Sequence, residues 1–156
     1  MGCGAGANAI LAARHTSHVV AVDINPVAIE AARTNAERNG VADRIRFAVS
    51  DLFDSIDGDF DLIVFDPPFR WFRARNLLER AFTDENYGTL TRFMAEAPTR
   101  LRTAGEILLF FGTSGDVAYL DELVDNNGLT STTIAERSLH VRGEMTTYFV
   151  RRITGA

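Results

Sequence analysis

The double proline Pro67-Pro68 limits what the middle of this chain can form, because it directly follows the apolar run 59–66 (DFDLIVFD). Proline has no N–H to donate to a neighbouring strand, so a central strand cannot continue through it. The run therefore predicts a buried strand that ends at Asp66, and the two proline rings restrict the backbone just beyond it.

Short apolar runs alternate with helical patterns along the chain. Strands are predicted at residues 18–23, 44–49, 59–66, 106–112, 129–141 and 144–153, and helices at residues 7–14, 25–39, 86–101 and 116–125. Asn25-Pro26 provides a helix cap and a first-turn proline, whereas Pro98 should kink or split its helix. The short Arg142-Gly143 joint predicts an antiparallel final pair. This order predicts an α/β fold with a doubly wound, mostly parallel sheet and a C-terminal antiparallel hairpin.

Chain length and composition narrow the class of protein. A chain of 156 residues fits one domain, residues 1–156, and no apolar run reaches the ~18 residues that span a bilayer. The single cysteine, Cys3, excludes an internal disulfide and predicts a cytoplasmic protein. A formal net charge of −5 argues against general nucleic-acid binding by phosphate neutralisation. Since lysine is absent, Schiff-base chemistry and a lysine general base are excluded.

Glycines at positions 2, 4 and 6 precede the first predicted helix. Glycine lets the backbone approach a ligand closely and leaves the amides at the start of the helix accessible. With Ala7, Gly2 and Gly4 also satisfy the dinucleotide pattern G-x-G-x-x-A. By itself the cluster predicts either a ligand-binding loop or a tight turn that binds nothing.

Carboxylates follow the next two predicted strands. Asp23 ends the run 18–23, where folds of the dinucleotide type place an acid on ribose hydroxyls. It could instead cap the turn that follows, but the preceding glycine loop favours the ribose role. Asp51 follows the run 44–49 and suits an exocyclic adenine amine, with Leu52 and Ile24 as apolar faces for the ring; the alternative is a solvated loop acid.

Asp66-Pro67-Pro68-Phe69 is the most specific motif in the chain. A carboxylate and a backbone carbonyl fixed by proline can both accept hydrogen bonds from one planar NH₂ group. An aromatic ring beside them can stack on the plane that carries this group. The motif therefore predicts a site for an acceptor nitrogen, and the alternative is a strand terminator without chemistry.

Together these motifs resemble the class I, Rossmann-like, S-adenosylmethionine-dependent methyltransferases. More closely, the chain resembles the group with an (Asn/Asp)-Pro-Pro-aromatic signature, which methylates amino or amide nitrogens. That group includes release-factor glutamine, adenine N6 and guanine N2 methyltransferases. The resemblance covers essentially the whole chain, and the hairpin would match the family's antiparallel last strand.

The resemblance implies a role for each motif. The loop Gly2, Cys3, Gly4 and Gly6 would bind the methionine moiety, Asp23 the ribose, and Asp51 with Ile24 and Leu52 the adenine. Asp66, Pro67, Pro68 and Phe69 would hold the acceptor nitrogen, on a nucleic-acid base, a protein side chain or a small molecule. The cofactor would be S-adenosylmethionine, with S-adenosylhomocysteine as product, and the chemistry needs no metal.

The family's first strand normally precedes the glycine loop, whereas this sequence starts at Met1, inside the motif. The sequence therefore predicts that the first strand is missing. We expect the gene product to continue upstream with an apolar strand that ends in Asp or Glu. Alternatively, a partner chain would supply the strand by β-addition.

Two other function classes remain open from the sequence. An NAD-dependent oxidoreductase would explain the glycine spacing and Asp23 but not Asp51 or the motif at Asp66. A non-catalytic, methyltransferase-like scaffold that binds a partner protein would explain a missing strand.

The segment after the acceptor motif mixes arginine with aromatic residues: Arg70, Trp71, Phe72, Arg73, Arg75 and Arg80. Such a mixture predicts local contact with nucleic acid by stacking and charge. The alternative, which we favour, is the start of an amphipathic helix with Trp71 and Phe72 packed inward. The three histidines are dispersed and have no metal-ligand spacing.

Overall fold

The computed structural model describes residues 1–68, 73, 83–141 and 143–155. The chain divides into two compact units, Met1–Gly58 and Asp59–Ala156. None of the helices in the described ranges is long and apolar enough to span a membrane. The single domain 1–156 stays a prediction.

The first unit is a small α/β unit whose two strands pair in parallel. Its elements are α1 (Ala7–Ala12), β1 (Val19–Asp23), α2 (Pro26–Arg38), a 3₁₀ turn (Ala42–Arg44) and β2 (Ile45–Val49). The strands run in register, with Val19 opposite Ile45 and Asp23 opposite Val49. One cluster of its core consists of six buried residues, of which four are alanines: Ala9, Ala13, Ala21, Ala36, Val41 and Ile45. Small side chains allow the helices to lie close to the strands.

Helix α2 begins and ends as its sequence predicts. Asn25 caps it by accepting a hydrogen bond from the Val27 amide at 3.0 Å, and Pro26 takes the first helical position. Gly40, with φ 68°, follows the C-cap residue Asn39 and adopts the left-handed conformation.

Among its described residues the second unit has a four-stranded mixed sheet and two α-helices. Its elements are β3 (Phe60–Phe65), a 3₁₀ turn (Glu85–Tyr87), α3 (Gly88–Glu96), a second 3₁₀ turn (Ala97–Arg100), β4 (Leu101–Gly112), α4 (Val117–Asn126), β5 (Leu129–Val141) and β6 (Glu144–Gly155). The strand order is β3-β4-β6-β5. β3 and β4 pair in parallel, whereas β6 pairs antiparallel with both β4 and β5. The predicted antiparallel hairpin is confirmed.

Alternate residues of β4 build the core of the second unit. Ile107, Leu109 and Phe111 are fully or almost fully buried, and each such side chain stabilises the fold by about 1.5–3 kcal/mol. Helix α3 contributes Phe93, whose ring lies 4.3 Å from that of Phe65 at the end of β3. The end of β3 is therefore anchored in the core.

Two predicted boundaries were wrong. The helix expected over residues 86–101 is limited to Gly88–Glu96, because Asn86 and Tyr87 adopt left-handed angles and Pro98 starts a 3₁₀ turn. The strand expected from residue 106 begins at Leu101. Its first part is irregular, with Ala104 at φ 63°, and the register to β3 shifts between Phe60 and Leu62.

The α/β class and the order of helices and strands are confirmed. The described strands form two hydrogen-bonded sheets, whereas the sequence predicted a single one. Among these strands β1 pairs with β2 and β3 with β4, and none joins the two sheets.

Candidate functional site

In the first unit the ends of β1 and β2 meet at one edge. The two strands are parallel, and the Ser50 amide donates to the Asp23 carbonyl at 3.0 Å, immediately after Val49. Ligands of open α/β sheets bind at this carboxyl edge. The structure therefore brings the segments that contain Asp23 and Asp51 together, as their positions after successive strands predicted.

The Asp23 carboxylate connects the glycine loop to the start of α2. Its Oδ2 accepts a hydrogen bond from the Gly4 amide at 2.9 Å, and its Oδ1 accepts one from the Asn25 amide at 2.9 Å. A carboxylate has roughly four lone-pair positions, so each oxygen retains acceptor capacity. Asp23 thus caps the turn, as the alternative held, and still has acceptor sites for a vicinal diol.

The glycine loop is fixed against α2. Gly6 has φ 88°, and a Cβ at this position would lie 3.0 Å from the Cβ of Ala32. The Asn35 side-chain amide donates to the Ala5 carbonyl at 3.0 Å. Glycine at position 6 is therefore required both by its backbone angle and by the close approach of α2.

Cys3 lies within the same loop. Its amide donates to the Val22 carbonyl at 2.8 Å, which places the loop beside β1. Burial of the half-buried thiol raises its pKa, and the nearby Asp23 charge raises the pKa further. A thiol with a raised pKa is a poor nucleophile at neutral pH, consistent with a packing role.

The predicted adenine-binding residues differ in exposure. Asp51 is exposed, and Ile24 is 60% exposed. Leu52 is only 5% exposed, so little of its side chain is accessible to a ring. Leu52 also adopts φ 47°, a left-handed angle that is unusual for a residue with a branched side chain.

Ser50, which directly precedes Asp51, was assigned no role from the sequence. The structure buries this residue, and its hydroxyl donates to the Leu52 carbonyl at 2.8 Å and accepts from the Ser55 amide at 3.0 Å. A serine directly after a strand is a known signal for a side chain that organises a turn. That signal could have identified it.

In the second unit the acceptor motif begins where β3 ends. Asp66 follows the last residue of β3, Pro67 is buried, and Pro68 is half-buried. Asp66 is exposed, yet the partial desolvation of its carboxyl raises its pKa above the usual aspartate value. Phe69 lies outside the described residues.

Of the arginine-aromatic segment, only Arg73 is described. Its exposed guanidinium lies 4.0 Å from Glu85 Oε2, an ion-pair distance at the surface. Arg70, Trp71, Phe72, Arg75 and Arg80 lie outside the described residues, so the predicted nucleic-acid contact stays a prediction.

Asp84, to which the sequence motifs gave no role, organises the start of α3. Its two carboxylate oxygens accept hydrogen bonds from the Thr89 and Leu90 amides at 2.9 and 2.8 Å. Asp84 is buried, and a carboxylate at a helix N-terminus is favourably placed. Its role is structural. Within the described ranges no group of three or more His, Cys, Asp or Glu residues is placed to hold a metal ion.

The family follows from comparison with known proteins. The model of the methyltransferase small domain matches residues 1–126, which include both motif regions. The chain belongs to the methyltransferase small domain family.

Curated relatives of this family member are methyltransferases of RNA and protein. Ribosomal RNA small subunit methyltransferase C of Alcanivorax borkumensis is 36% identical over 125 residues, which cover 80% of this chain and 34% of the relative. A putative protein N5-glutamine methyltransferase of Methanocaldococcus jannaschii is 36% identical over 114 residues, which cover 69% of this chain and 57% of the relative. The chain thus spans between a third and somewhat over half of the length of these relatives.

Solved structures share the fold of this family member. Ribosomal protein L11 methylase from Lactobacillus delbrueckii subsp. bulgaricus matches with a TM-score of 0.70 at 20% identity, covering 99% of this chain and 66% of that one. Precorrin-6y C5,15-methyltransferase from Geobacter metallireducens matches with a TM-score of 0.73 at 14% identity, covering 100% and 77%. These likenesses establish a Rossmann-like methyltransferase fold and nothing finer.

Proposed function

We propose that this chain is the catalytic core of an S-adenosylmethionine-dependent methyltransferase that acts on a nitrogen. The observation that carries the proposal is the Asp23 carboxylate, which accepts hydrogen bonds from Gly4 and Asn25 and keeps further acceptor sites. A carboxylate that directly follows a strand and is hydrogen-bonded to the glycine loop suits the ribose of a nucleoside cofactor. The family to which the chain belongs supports a methyl donor over NAD.

The residues of the first unit fit such a cofactor. Asp23 would accept hydrogen bonds from the ribose hydroxyls, Asp51 would accept one from the adenine amine, and the exposed Ile24 would contact the ring. The loop Gly2, Cys3, Gly4 and Gly6 would bind the methionine moiety. S-adenosylmethionine, when bound, supplies a methyl group that its sulfonium has already activated.

Asp66 and the two prolines would position the acceptor. The carboxylate accepts a hydrogen bond from an amino or amide NH₂ group, orients the nitrogen lone pair, and stabilises positive charge that develops on the nitrogen. Pro67 is buried and restricts the backbone that follows Asp66. Positioning of this kind lowers the activation barrier of a reaction by up to about 7–11 kcal/mol.

The acceptor belongs to the class of planar amino and amide nitrogens. The names of the relatives include ribosomal RNA and protein glutamine methyltransferases, among them the ribosomal protein uL3 glutamine methyltransferases of Neisseria meningitidis. Both a nucleobase amine and a glutamine amide present a flat NH₂ group of the same size. The motif at Asp66 suits either one, and a small molecule with such a group as well.

Calorimetry with S-adenosylhomocysteine, S-adenosylmethionine and NAD tests the proposal. We expect binding of the first two and none of NAD. Binding of NAD alone would favour the oxidoreductase, and binding of none of them would favour the scaffold. Transfer of a tritiated methyl group from labelled cofactor onto fractionated RNA, protein and metabolites then identifies the acceptor.

A further inference from the structure

The Ser50 hydroxyl is a buried polar group at the carboxyl edge of the first unit, and the proposed function gives this hydroxyl no role. Ser50 is 4% exposed, and its backbone amide is bonded to the Asp23 carbonyl at 3.0 Å. Its hydroxyl uses the donor toward the Leu52 carbonyl, at 2.8 Å, and one acceptor position toward the Ser55 amide, at 3.0 Å. One side chain therefore fixes two points of the loop that follows β2.

These bonds hold the loop in a conformation that its sequence does not favour. Leu52 has φ 47°, and a leucine adopts such an angle only when its surroundings impose it. Its carbonyl is the group to which Ser50 donates, and its side chain is buried. Leu52 is thus held by two interactions, the Ser50 hydroxyl on its carbonyl and the burial of its own side chain.

Asp51 lies between the two constrained residues. Ser50 is fixed to β1 through its backbone, and Leu52 is fixed to Ser50 through the hydroxyl. The Asp51 carbonyl also accepts from the Asp54 amide at 3.1 Å, which completes a tight turn. Ser50 therefore holds the backbone from which the Asp51 side chain extends.

We propose that Ser50 is a positioning residue that orients the Asp51 carboxylate toward the amino group of the adenine. The inference rests on the proposed function, since it assumes a cofactor with an adenine. Its consequence is specific: loss of the hydroxyl should weaken recognition of the adenine amine more than it weakens binding of the rest of the cofactor.

The test compares S-adenosylhomocysteine with S-inosylhomocysteine, which carries an oxygen in place of the adenine amine. For Ser50→Ala we expect an affinity loss of about tenfold for S-adenosylhomocysteine, because a misdirected carboxylate loses part of a charge-assisted hydrogen bond. The inosine compound should lose less than about twofold, since it does not make that bond. The ratio of the two affinities, measured by calorimetry, should therefore fall.

Ser55→Ala is the matched control. It removes a hydroxyl from the same loop but keeps the backbone amide that Ser50 accepts, so the affinity ratio should stay at the wild-type value. Ser50→Thr retains a hydroxyl and should restore most of the ratio. An unchanged ratio in folded Ser50→Ala, or an equal loss for both compounds, would overturn the positioning role.

Hydrogen exchange of the wild type tests the contact even if Ser50→Ala does not fold. Ser55 is exposed, so its amide should exchange rapidly unless Ser50 accepts its hydrogen. Slow exchange supports the inference, and exchange at the rate of an unprotected amide overturns it. A wild type that binds neither compound would instead overturn the proposed function, whereas failure of Ser50 alone leaves that function standing.

Discussion

Asp23 and Asp66 both follow a strand, but different interactions hold them. Asp23 accepts two backbone amides at 2.9 Å, and both of its oxygens are engaged. Within the described part of the chain Asp66 accepts no hydrogen bond, and it is followed instead by the buried Pro67 and half-buried Pro68. The Asp23 carboxylate is fixed by hydrogen bonds, whereas the Asp66 carboxylate extends from a backbone that the following prolines restrict.

This difference has a consequence for charge. Partial desolvation raises the pKa of Asp66. As the pH falls, Asp66 therefore becomes protonated, and loses acceptor capacity, at a higher pH than an ordinary aspartate. At the carboxyl edge of the first unit, by contrast, the Asp23 carboxylate is held in place by two hydrogen bonds before a ligand binds. The acceptor motif has a carboxylate with a raised pKa, so substitutions at Asp23 and at Asp66 should have different effects.

The largest effect is expected for Asp66→Ala. Turnover should fall by about 100-fold or more, because the acceptor nitrogen loses the group that orients it. Affinity for S-adenosylhomocysteine should stay within about twofold of the wild type, as expected for a residue outside the cofactor site. Steady-state kinetics and calorimetry measure the two. Asp61→Ala, at an exposed aspartate of β3 that is paired with Arg102, is the control. Loss of cofactor affinity along with activity would place Asp66 in the cofactor site.

The raised pKa of Asp66 also predicts the pH profile of kcat. The protonated carboxyl cannot accept the amine hydrogen, so kcat should fall with decreasing pH, with a midpoint above the usual aspartate pKa. Asp66→Asn should remove this limb. The stability of the fold should change with pH in the opposite direction. The folded state binds the Asp66 proton more tightly than the unfolded state, so the free energy of unfolding falls as the pH rises from the pKa of the unfolded state to that of the folded state. Urea titrations across that window measure it.

Asp23→Ala should weaken S-adenosylhomocysteine binding by about 1.5–3 kcal/mol, the usual contribution of hydrogen bonds to a charged group. Asp23→Asn should lose less, because its side-chain oxygen still accepts one amide hydrogen. Calorimetry on both variants, with circular dichroism to verify the fold, makes the measurement. Asp43→Ala, at an exposed acid of the same unit, controls for lost surface charge. Unchanged affinity in a folded Asp23→Ala would contradict the ribose assignment.

The sequence was sufficient wherever one residue type allows one local conformation. Asn25-Pro26 and Gly40 fixed the ends of α2, and the double proline ended β3. The α/β class followed from alternating apolar runs, and the final hairpin followed from the short Arg142-Gly143 joint. Each of these signals acts within a few residues and needs no tertiary contact.

The conformations that the sequence did not reveal depend on contacts distant in the chain or on strain. Leu52 and Ala104 adopt left-handed angles that no local preference predicts. Tyr87 does so as well, held by its hydroxyl, which accepts from the Asp116 amide at 2.8 Å. The role of Ser50 was missed for the same reason, because it depends on burial as well as on residue type.

Gly6→Ala compared with Gly4→Ala isolates the close approach of α2. Both glycines have positive φ, but a Cβ at Gly6 would lie 3.0 Å from Ala32, whereas one at Gly4 meets nothing within 4 Å. We expect Gly6→Ala to lower the free energy of unfolding by about 1–3 kcal/mol more than Gly4→Ala, the usual penalty of overpacking. Urea denaturation measures the difference. Equal losses would show that α2 does not constrain the loop.

The smallest effect concerns Cys3, whose thiol reports on the charge of Asp23. Burial, followed by the Asp23 charge, raises the pKa of this thiol, so less thiolate exists at pH 8 than for an ordinary cysteine. Alkylation by iodoacetamide should therefore be slower than that of a free thiol. Asp23→Asn removes the negative charge, lowers the pKa of the thiol and should accelerate alkylation.

Asp43→Asn is the charge-matched control for Cys3, since Asp43 is not among the groups that shift the pKa of the thiol. It should leave the alkylation rate unchanged. Saturating S-adenosylhomocysteine should slow alkylation of the wild type if the loop around Cys3 binds the methionine moiety. Mass spectrometry of samples quenched over time gives each rate. A wild-type rate equal to that of free cysteine would contradict the burial of the thiol, and equal rates in both variants would contradict its coupling to Asp23.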